Sequence, residues 1–267
     1  MTNKPQPPKV GSSEKSSVPD KHYRKPPVIE ALCEIFFVGS EWNSTIPGLL
    51  LKKIEKNYPQ TNELQQVQAN VTLSPTSQGA QFQSIGVRTQ FINQDKSRMI
   101  QLEQELVVIN QLKPYIKFKD WCPEIYSIVN YYSELAKPKG IKKIGVRYIN
   151  EISLPLQVVS PKMEEYFRIY PNVPMEFGSM HGRFMLRMEL PSHHKGHELV
   201  VTLATKTGSL NEKFSFLFDI YDMMQFEQPI SLNELSRVVS DAHDNVVLAF
   251  ENGLTEETKT LFEEGEK

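Results

Sequence analysis

Three histidines crowd one short segment, Pro191-Ser192-His193-His194-Lys195-Gly196-His197, and imidazoles at that spacing are the nearest this chain comes to a metal-ligand set. A structural zinc site takes four protein ligands and a supporting shell. Apart from Glu198 no further ligand converges on His193, His194 and His197, so a solvated hairpin loop is expected and no metal or other cofactor is predicted. A second group, Arg147, Tyr148 and Asn150, lies within Gly145-Val146-Arg147-Tyr148-Ile149-Asn150. On a strand, alternation sends Tyr148 and Asn150 to one face and Arg147 and Glu151 to the other. A polar trio on a central strand suits binding on an open sheet face. The competing reading is structural, with Arg147 paired to an acid on a neighbouring strand and Tyr148 packed with its hydroxyl satisfied.

Arginines supply the only other candidate site. Arg183 and Arg187 share a face with Glu189, and Arg88 and Arg98 flank a predicted hairpin; together they form either a basic lane for phosphates or a set of ion pairs with Glu103, Glu105 and Glu189. Charge distribution favours pairing. The chain has 30 Lys/Arg against 32 Asp/Glu, and residues 1–27 hold six basic residues against two acids, so the rest carries 24 against 30. An acidic body offers no broad footprint to DNA or RNA, whose binding is driven by phosphate neutralisation.

No catalytic signature emerges. Asp241 and Asp244 share a helix face while His243 does not join them, which is the pattern of solvated helix acids. Cys122 and His181 are not brought together by anything in the sequence, and no glycine-rich phosphate loop is present. Cys33 and Cys122 are the only cysteines, too few for a disulfide framework, and Cys33 inside Ala31-Leu32-Cys33-Glu34-Ile35 reads as a core thiol.

The elements that must position these residues read as two similar passes, over about residues 28–136 and 142–252. In the first, Val28 to Phe37 is a strand bounded by Pro27 and Gly39. Leu50, Leu51, Ile54 and Tyr58, between Pro47 and Pro59, make an amphipathic helix. Three strands follow near 66–74, 85–94 and 98–112, with a turn at Asp95-Lys96-Ser97. A helix from Trp121 to Ala136 carries Ile125, Ile128, Val129 and Tyr132 before Pro138 and Gly140 stop it. The second pass opens on a strand at Ile144–Ile152 and a short helix from Pro161. Strands near 180–190, 197–207 and 213–225 lead to a helix over Leu232–Phe250, with Ser231 and Glu234 set as a capping box. The passes are offset by 114 residues at their starts and 110 at their last helices.

The expected fold is therefore α+β: two βαβββα halves, 28–138 and 139–267, with antiparallel sheets backed by helices and joined edge to edge into one continuous curved sheet. Residues 1–27 carry six of the 18 prolines with almost nothing apolar, and read as a disordered basic arm. With 39% hydrophobic residues in 267, the chain can bury a proper core. It has no run of 18 apolar residues and no apolar signal core, so a cytoplasmic protein without membrane association is predicted.

Three segments resemble the N-terminal, middle and C-terminal hallmarks of a sporadically distributed family of uncharacterised bacterial proteins of about 250 residues: Lys25-Pro26-Pro27-Val28-Ile29-Glu30-Ala31-Leu32-Cys33-Glu34-Ile35, Gly145-Val146-Arg147-Tyr148-Ile149-Asn150, and Ala249-Phe250-Glu251-Asn252-Gly253-Leu254-Thr255. The likeness spans about residues 23–262; Asn110-Gln111 departs from it where an Asn-Trp pair belongs. The resemblance implies no particular activity, and implies an accessory setting such as phage defence or toxin neutralisation. The functional expectation is a non-catalytic macromolecule-binding protein with a protein partner encoded nearby. The alternatives are a saddle-like nucleic-acid binder, by architectural analogy with the TATA-box-binding protein, and an enzyme with a dispersed site.

Overall fold

The computed structural model describes residues 23–74, 77–155, 161–174, 176, 183–206 and 214–263, the backbone alone being described over 66–85. The first strand, β1 (Val28–Val38), alternates Ala31, Cys33, Ile35 and Phe37 inward and Glu30, Glu34 and Phe36 outward. Proline at its N-terminus and Lys52 and Lys53 in its last turn bound α1 (Ile46–Ile54), which buries Ile46, Leu50 and Ile54. Four strands follow: β2 (Gln60–Ser74), β3 (Ser77–Ile92), β4 (Arg98–Glu103) and β5 (Leu106–Leu112). After α2 (Phe118–Ala136) come β6 (Gly140–Ser153), the short α3 (Met163–Tyr166), β7 (Met185–Pro191), β8 (Glu198–Thr205) and β9 (Ser215–Ile230). A 3-10 turn at Leu232–Glu234 leads into α4 (Leu235–Gly253), and α5 (Glu256–Glu263) closes the described chain.

All nine strands form one open antiparallel sheet in the order β2-β3-β4-β5-β1-β6-β9-β8-β7. The first strands of the two passes, β1 and β6, lie side by side at its centre, pairing Cys33 with Val146 and Ala31 with Tyr148. Helices α2 and α4 pack on the inward face, around a continuous core that includes Phe37, Trp121, Tyr132 and Phe218. On the opposite face polar side chains bind one another across strands. Asn62 donates to Gln90 at 3.2 Å, Gln101 to Asn110 at 3.0 Å and Asn110 to Glu30 at 2.6 Å. Tyr221 reaches over β6 to Glu34 at 2.9 Å, and its ring fills the space a Cβ at Gly145 would take, 2.5 Å away. That close approach is why glycine stands first in Gly145–Asn150.

Three expectations are corrected. The stretch 98–112, read as one strand, is a hairpin that turns at Gln104-Glu105, so the first pass runs βαββββα with five strands where a βαβββα half was expected. Ser231 makes no side-chain cap, because the 3-10 turn places its carbonyl, rather than its hydroxyl, against the Glu234 amide. Tyr23 to Pro27, assigned to the arm, are held: Tyr23 packs on Phe250 and Phe262, and Lys25 N donates to Phe262 O at 2.9 Å. Residues 1–22 lie outside the described residues.

Gly253 ends α4 where an added Cβ would lie 2.5 Å from Cζ of the fully buried Phe218. Replacing glycine by alanine in a helix gains at most ~1 kcal/mol, while overpacking a closed core costs ~1–3 kcal/mol. Gly253→Ala is therefore expected to destabilise the protein by about 1 kcal/mol, because steric overlap outweighs propensity. Denaturant unfolding checks this, and a gain in stability would show that Phe218 has room to move.

Candidate functional site

Helix α4 lies against β6, β9 and β8, and its buried stripe presents His243 and Val246 to the inward face of β6. Beside them the segment after β5 brings Tyr115, the first turn of α2 brings Phe118, and Tyr23–Val28 runs alongside. Together they enclose a cavity of about 250 Å³. Its walls are apolar, from Pro26, Pro27 and Val28 on one side and Val246, Val247 and Phe250 on the other. Tyr148, Asn150 and His243 also line it. Parts of three segments far apart in the chain thus converge here: residues 26–28, 148 and 150, and 250–251.

The polar groups in the cavity form a short chain. The hydroxyls of Tyr115 and Tyr148 are 2.7 Å apart, and Tyr148 Oη is 3.2 Å from His243 Nδ1. The imidazole stacks on Phe118 with ring centroids 3.7 Å apart and planes at 12°. Burial lowers the His243 pKa from 6.5 to about 3, so the ring is neutral at physiological pH. Such a ring is a poor general base, since acid–base catalysis needs a pKa near the working pH. Asn150 is 1% exposed; its Nδ2 donates to Phe218 O at 3.0 Å, which fixes the amide orientation, and its Oδ1 has no hydrogen-bond partner. Among the residues lining the cavity, Glu251 is the single acid, and it accepts from Tyr23 Oη at 2.8 Å and pairs with Lys259 at 3.1 Å. Burial and that carboxylate push the Tyr23 hydroxyl pKa up. Arg24 and Lys117 are exposed at the rim.

The trio predicted on one strand is divided by alternation. Tyr148 and Asn150 face the helices and the cavity, so they are not on the uncovered face; Arg147 alone is there, where its guanidinium grips Asp219 of β9 with Nε–Oδ1 at 2.8 Å and Nη2–Oδ2 at 2.5 Å. The basic lane does not assemble. Arg88 pairs with Glu103, as the pairing alternative anticipated; Arg98 pairs with Glu124 of α2 at 3.0 Å, above the Tyr58 ring; Arg187 pairs with Glu189 at 2.7 Å. Arg183 is exposed just ahead of β7.

The histidine loop is anchored, where a solvated loop was expected. His197 is buried with Nδ1 2.6 Å from Asp222 Oδ1, and Asp222 is fully buried, its Oδ2 accepting from Ser192 Oγ and Asn245 Nδ2, each at 2.9 Å. His194 turns instead to Asp241 and Asp244, at 3.8 and 3.9 Å, and His193 packs edge-on against His194. Among the described residues no group of three or more His, Cys, Asp or Glu side chains is placed to hold a metal ion. Cys33 is fully buried and Cys122 half-buried, burial raising both thiol pKa values; His181 lies outside the described residues. No described helix is long and apolar enough to cross a membrane.

Sequence reasoning singled out Tyr148 and Asn150 but missed Tyr115, Phe118 and Phe250 as cavity residues, and placed His243 only beside helix acids. Aromatic residues at helix ends carry no spacing signal of their own. No protein-family model and no curated protein matches the chain.

Proposed function

We propose that this chain is a non-catalytic binding protein that recognises a partner protein by taking one of its side chains into the cavity between Tyr23–Val28, β6 and α4. The observation that carries the reading is the cavity itself: three distant segments build an apolar pocket of about 250 Å³. Its imidazole is neutral and it offers no nucleophile, which favours binding over catalysis. The pairing of Arg88, Arg98 and Arg187 with carboxylates removes the cations that a nucleic-acid saddle needs. The hairpin of β2 and β3 supports a protein partner as well. Strand β4 pairs with β3 only over Thr89–Ile92, so most of the hairpin is a two-stranded ribbon, and residues 64–87 contain no charged side chain.

We read the architecture as a duplication, since each pass adds its last strand next to its first, β5 beside β1 and β9 beside β6. The family resemblance supports the setting, an accessory role in bacterial defence or toxin neutralisation.

Val247 lines the cavity and is half-buried, so Val247→Trp fills it from the side. Affinity capture with the full chain, at moderate and high salt and with nuclease, is expected to recover a salt-resistant protein that Val247→Trp loses by about tenfold or more, equivalent to ~1.4 kcal/mol. Material that is nuclease-sensitive and lost at high salt would establish the saddle reading instead. Equal capture by the variant would remove the cavity from recognition.

A further inference from the structure

We infer that strand β2 is a self-pairing edge: two copies of this chain join by antiparallel β2–β2 pairing about a two-fold axis, which runs their nine-stranded sheets into one. This goes beyond the cavity reading and does not depend on it.

The two ends of the sheet are built differently. Among the described residues β2 (Gln60–Ser74) and β7 (Met185–Pro191) each have a strand on one side only. Native sheets keep such edges from joining other chains by making them short, by placing charges or proline on them, or by bulging them. Strand β7 has the first two devices: it is 7 residues long, carries Arg187 and Glu189, and ends in Pro191. Strand β2 has none. It is 15 residues long, about 50 Å at ~3.4 Å per residue, with no proline and Glu63 as its one charge. The register shift between β2 and β3, at Gln66 and Val67, puts its extra residue, Ile85, in β3, so the edge strand stays regular.

Beyond Thr89–Ile92, where β4 pairs, β2 and β3 form a two-stranded ribbon. Register and alternation place Val67, Ala69 and Val71 on one face with Phe82 and Ala80, and Gln68 and Asn70 on the other with Gln83 and Gln81. At the root of the ribbon Leu64 and Val87 are 43% and 49% exposed, so apolar surface is left uncovered there. A two-stranded ribbon is marginal by itself in water, whereas three or more strands with an apolar face are stable. Pairing β2 with its copy makes the ribbon four strands wide and its apolar face continuous.

The sequence of the edge suits a copy of itself. In an antiparallel pair about a two-fold axis each strand faces its own sequence reversed, so charges on it would be brought against their own copies, and like charges across a pair are destabilising. Residues 64–87 hold no charge. Gln65, Gln66, Gln68 and Asn70 carry instead the side-chain amide, which has both donors and an acceptor and so can bond to its own copy. The pairing also closes. It uses both β2 edges and leaves only the two β7 edges, whose charges and proline stop further growth, so a dimer results and not a fibre.

The test is analytical ultracentrifugation of the full chain across a wide range of concentration. A monomer–dimer equilibrium is expected, with a dimer of twice the chain's 30.7 kDa. The double substitutions Gln68→Lys/Asn70→Lys and Gln68→Glu/Asn70→Glu should each weaken the dimer about tenfold or more, and a mixture of the two should dimerise again. Restored dimerisation in the mixture separates pairing between copies from loss of folding. Met185→Lys, a charge added at the other edge, and Val247→Trp in the cavity should leave the dimer unchanged. The inference is overturned by a chain that stays monomeric throughout, by a dimer that both double variants leave intact, by a mixture that stays monomeric, or by loss of the dimer in Met185→Lys. A monomer that loses a captured protein through the β2 variants would give the edge to another chain and overturn it too. A dimer that pairs through β2 without any cavity-dependent capture upholds the pairing and fails only the cavity reading.

Discussion

Asp222→Ala is expected to lower the stability of this protein by about 3–5 kcal/mol, a large part of the ~5–15 kcal/mol typical of a folded domain. Asp222 is fully buried on β9, and one carboxyl group satisfies three donors: His197 Nδ1 at 2.6 Å, and Ser192 Oγ and Asn245 Nδ2 at 2.9 Å. Those donors come from the β7–β8 connection, the turn before β8, and α4, so the cluster ties the histidine loop and the helix to the sheet. Removing the shared acceptor strands the buried His197 and Asn245 donors away from water, and each stranded group costs ~1–3 kcal/mol. The contrast is Ser192→Ala, which deletes one donor and leaves the acceptor with two; it should cost only about 1 kcal/mol. Urea unfolding of the two variants separates them. Equal small losses would mean that the loop relaxes to let water in and that the cluster is not a tie.

The second large effect is a loss of stability on acidification that traces to one side chain. In the unfolded chain His243 takes up a proton below about 6.5, whereas in the fold burial delays protonation to about 3. Between those values the unfolded state binds more protons, so stability rises with pH. The contribution of His243 is full above pH 6.5 and is lost progressively as pH falls toward 3, at up to ~1.4 kcal/mol per unit. Over the whole window this reaches about 5 kcal/mol. His243→Phe keeps a ring to stack on Phe118, loses the contact with Tyr148, and should flatten the pH dependence between 6.5 and 4. Two readings check it: the difference in unfolding free energy between native and variant protein across that range, and the imidazole resonance, which should not titrate at pH 5. A His243 that titrates near 6.5 would place water in the cavity.

Much of the fold was legible because its signals are local. Prolines 47 and 59 bracket α1, Pro138 follows the α2 stop at Lys137, and the stripes Ile125-Ile128-Val129-Tyr132 and Leu235-Val238-Val239-Ala242-Val246 mark the buried faces of α2 and α4. Alternation along β6 by itself separates Arg147 from Tyr148 and Asn150. The β4–β5 turn was not legible. Gln104-Glu105 has neither glycine nor proline, and among the described residues neither takes a positive φ, so the alternation from Met99 to Ile109 runs through it unmarked. Contacts from elsewhere hold that turn: Tyr132 donates to Gln104 O, Phe37 N to Glu105 O at 2.8 Å, and Gly39 N to Glu105 Oε1 at 2.7 Å.

The candidate site divides in the same way. Tyr148 and Asn150 stood out as polar residues on an apolar strand, but their partners, Tyr115, Phe118 and His243, lie 30 to 95 residues away and share no spacing with them. His197 looked solvated because neighbouring Lys195 and Gly196 are turn residues, and nothing in β9 marks its acid, Asp222, as different from Asp219 three residues earlier. By itself the sequence determined the element types, their buried faces and the acidic body, since periodicity, breakers and charge act within a few residues. Tertiary structure alone decided the strand order, the turn at Gln104-Glu105, the neutral His243 and the cavity, because each depends on desolvation and on donor–acceptor matches made between groups that the chain brings together only when it closes on itself.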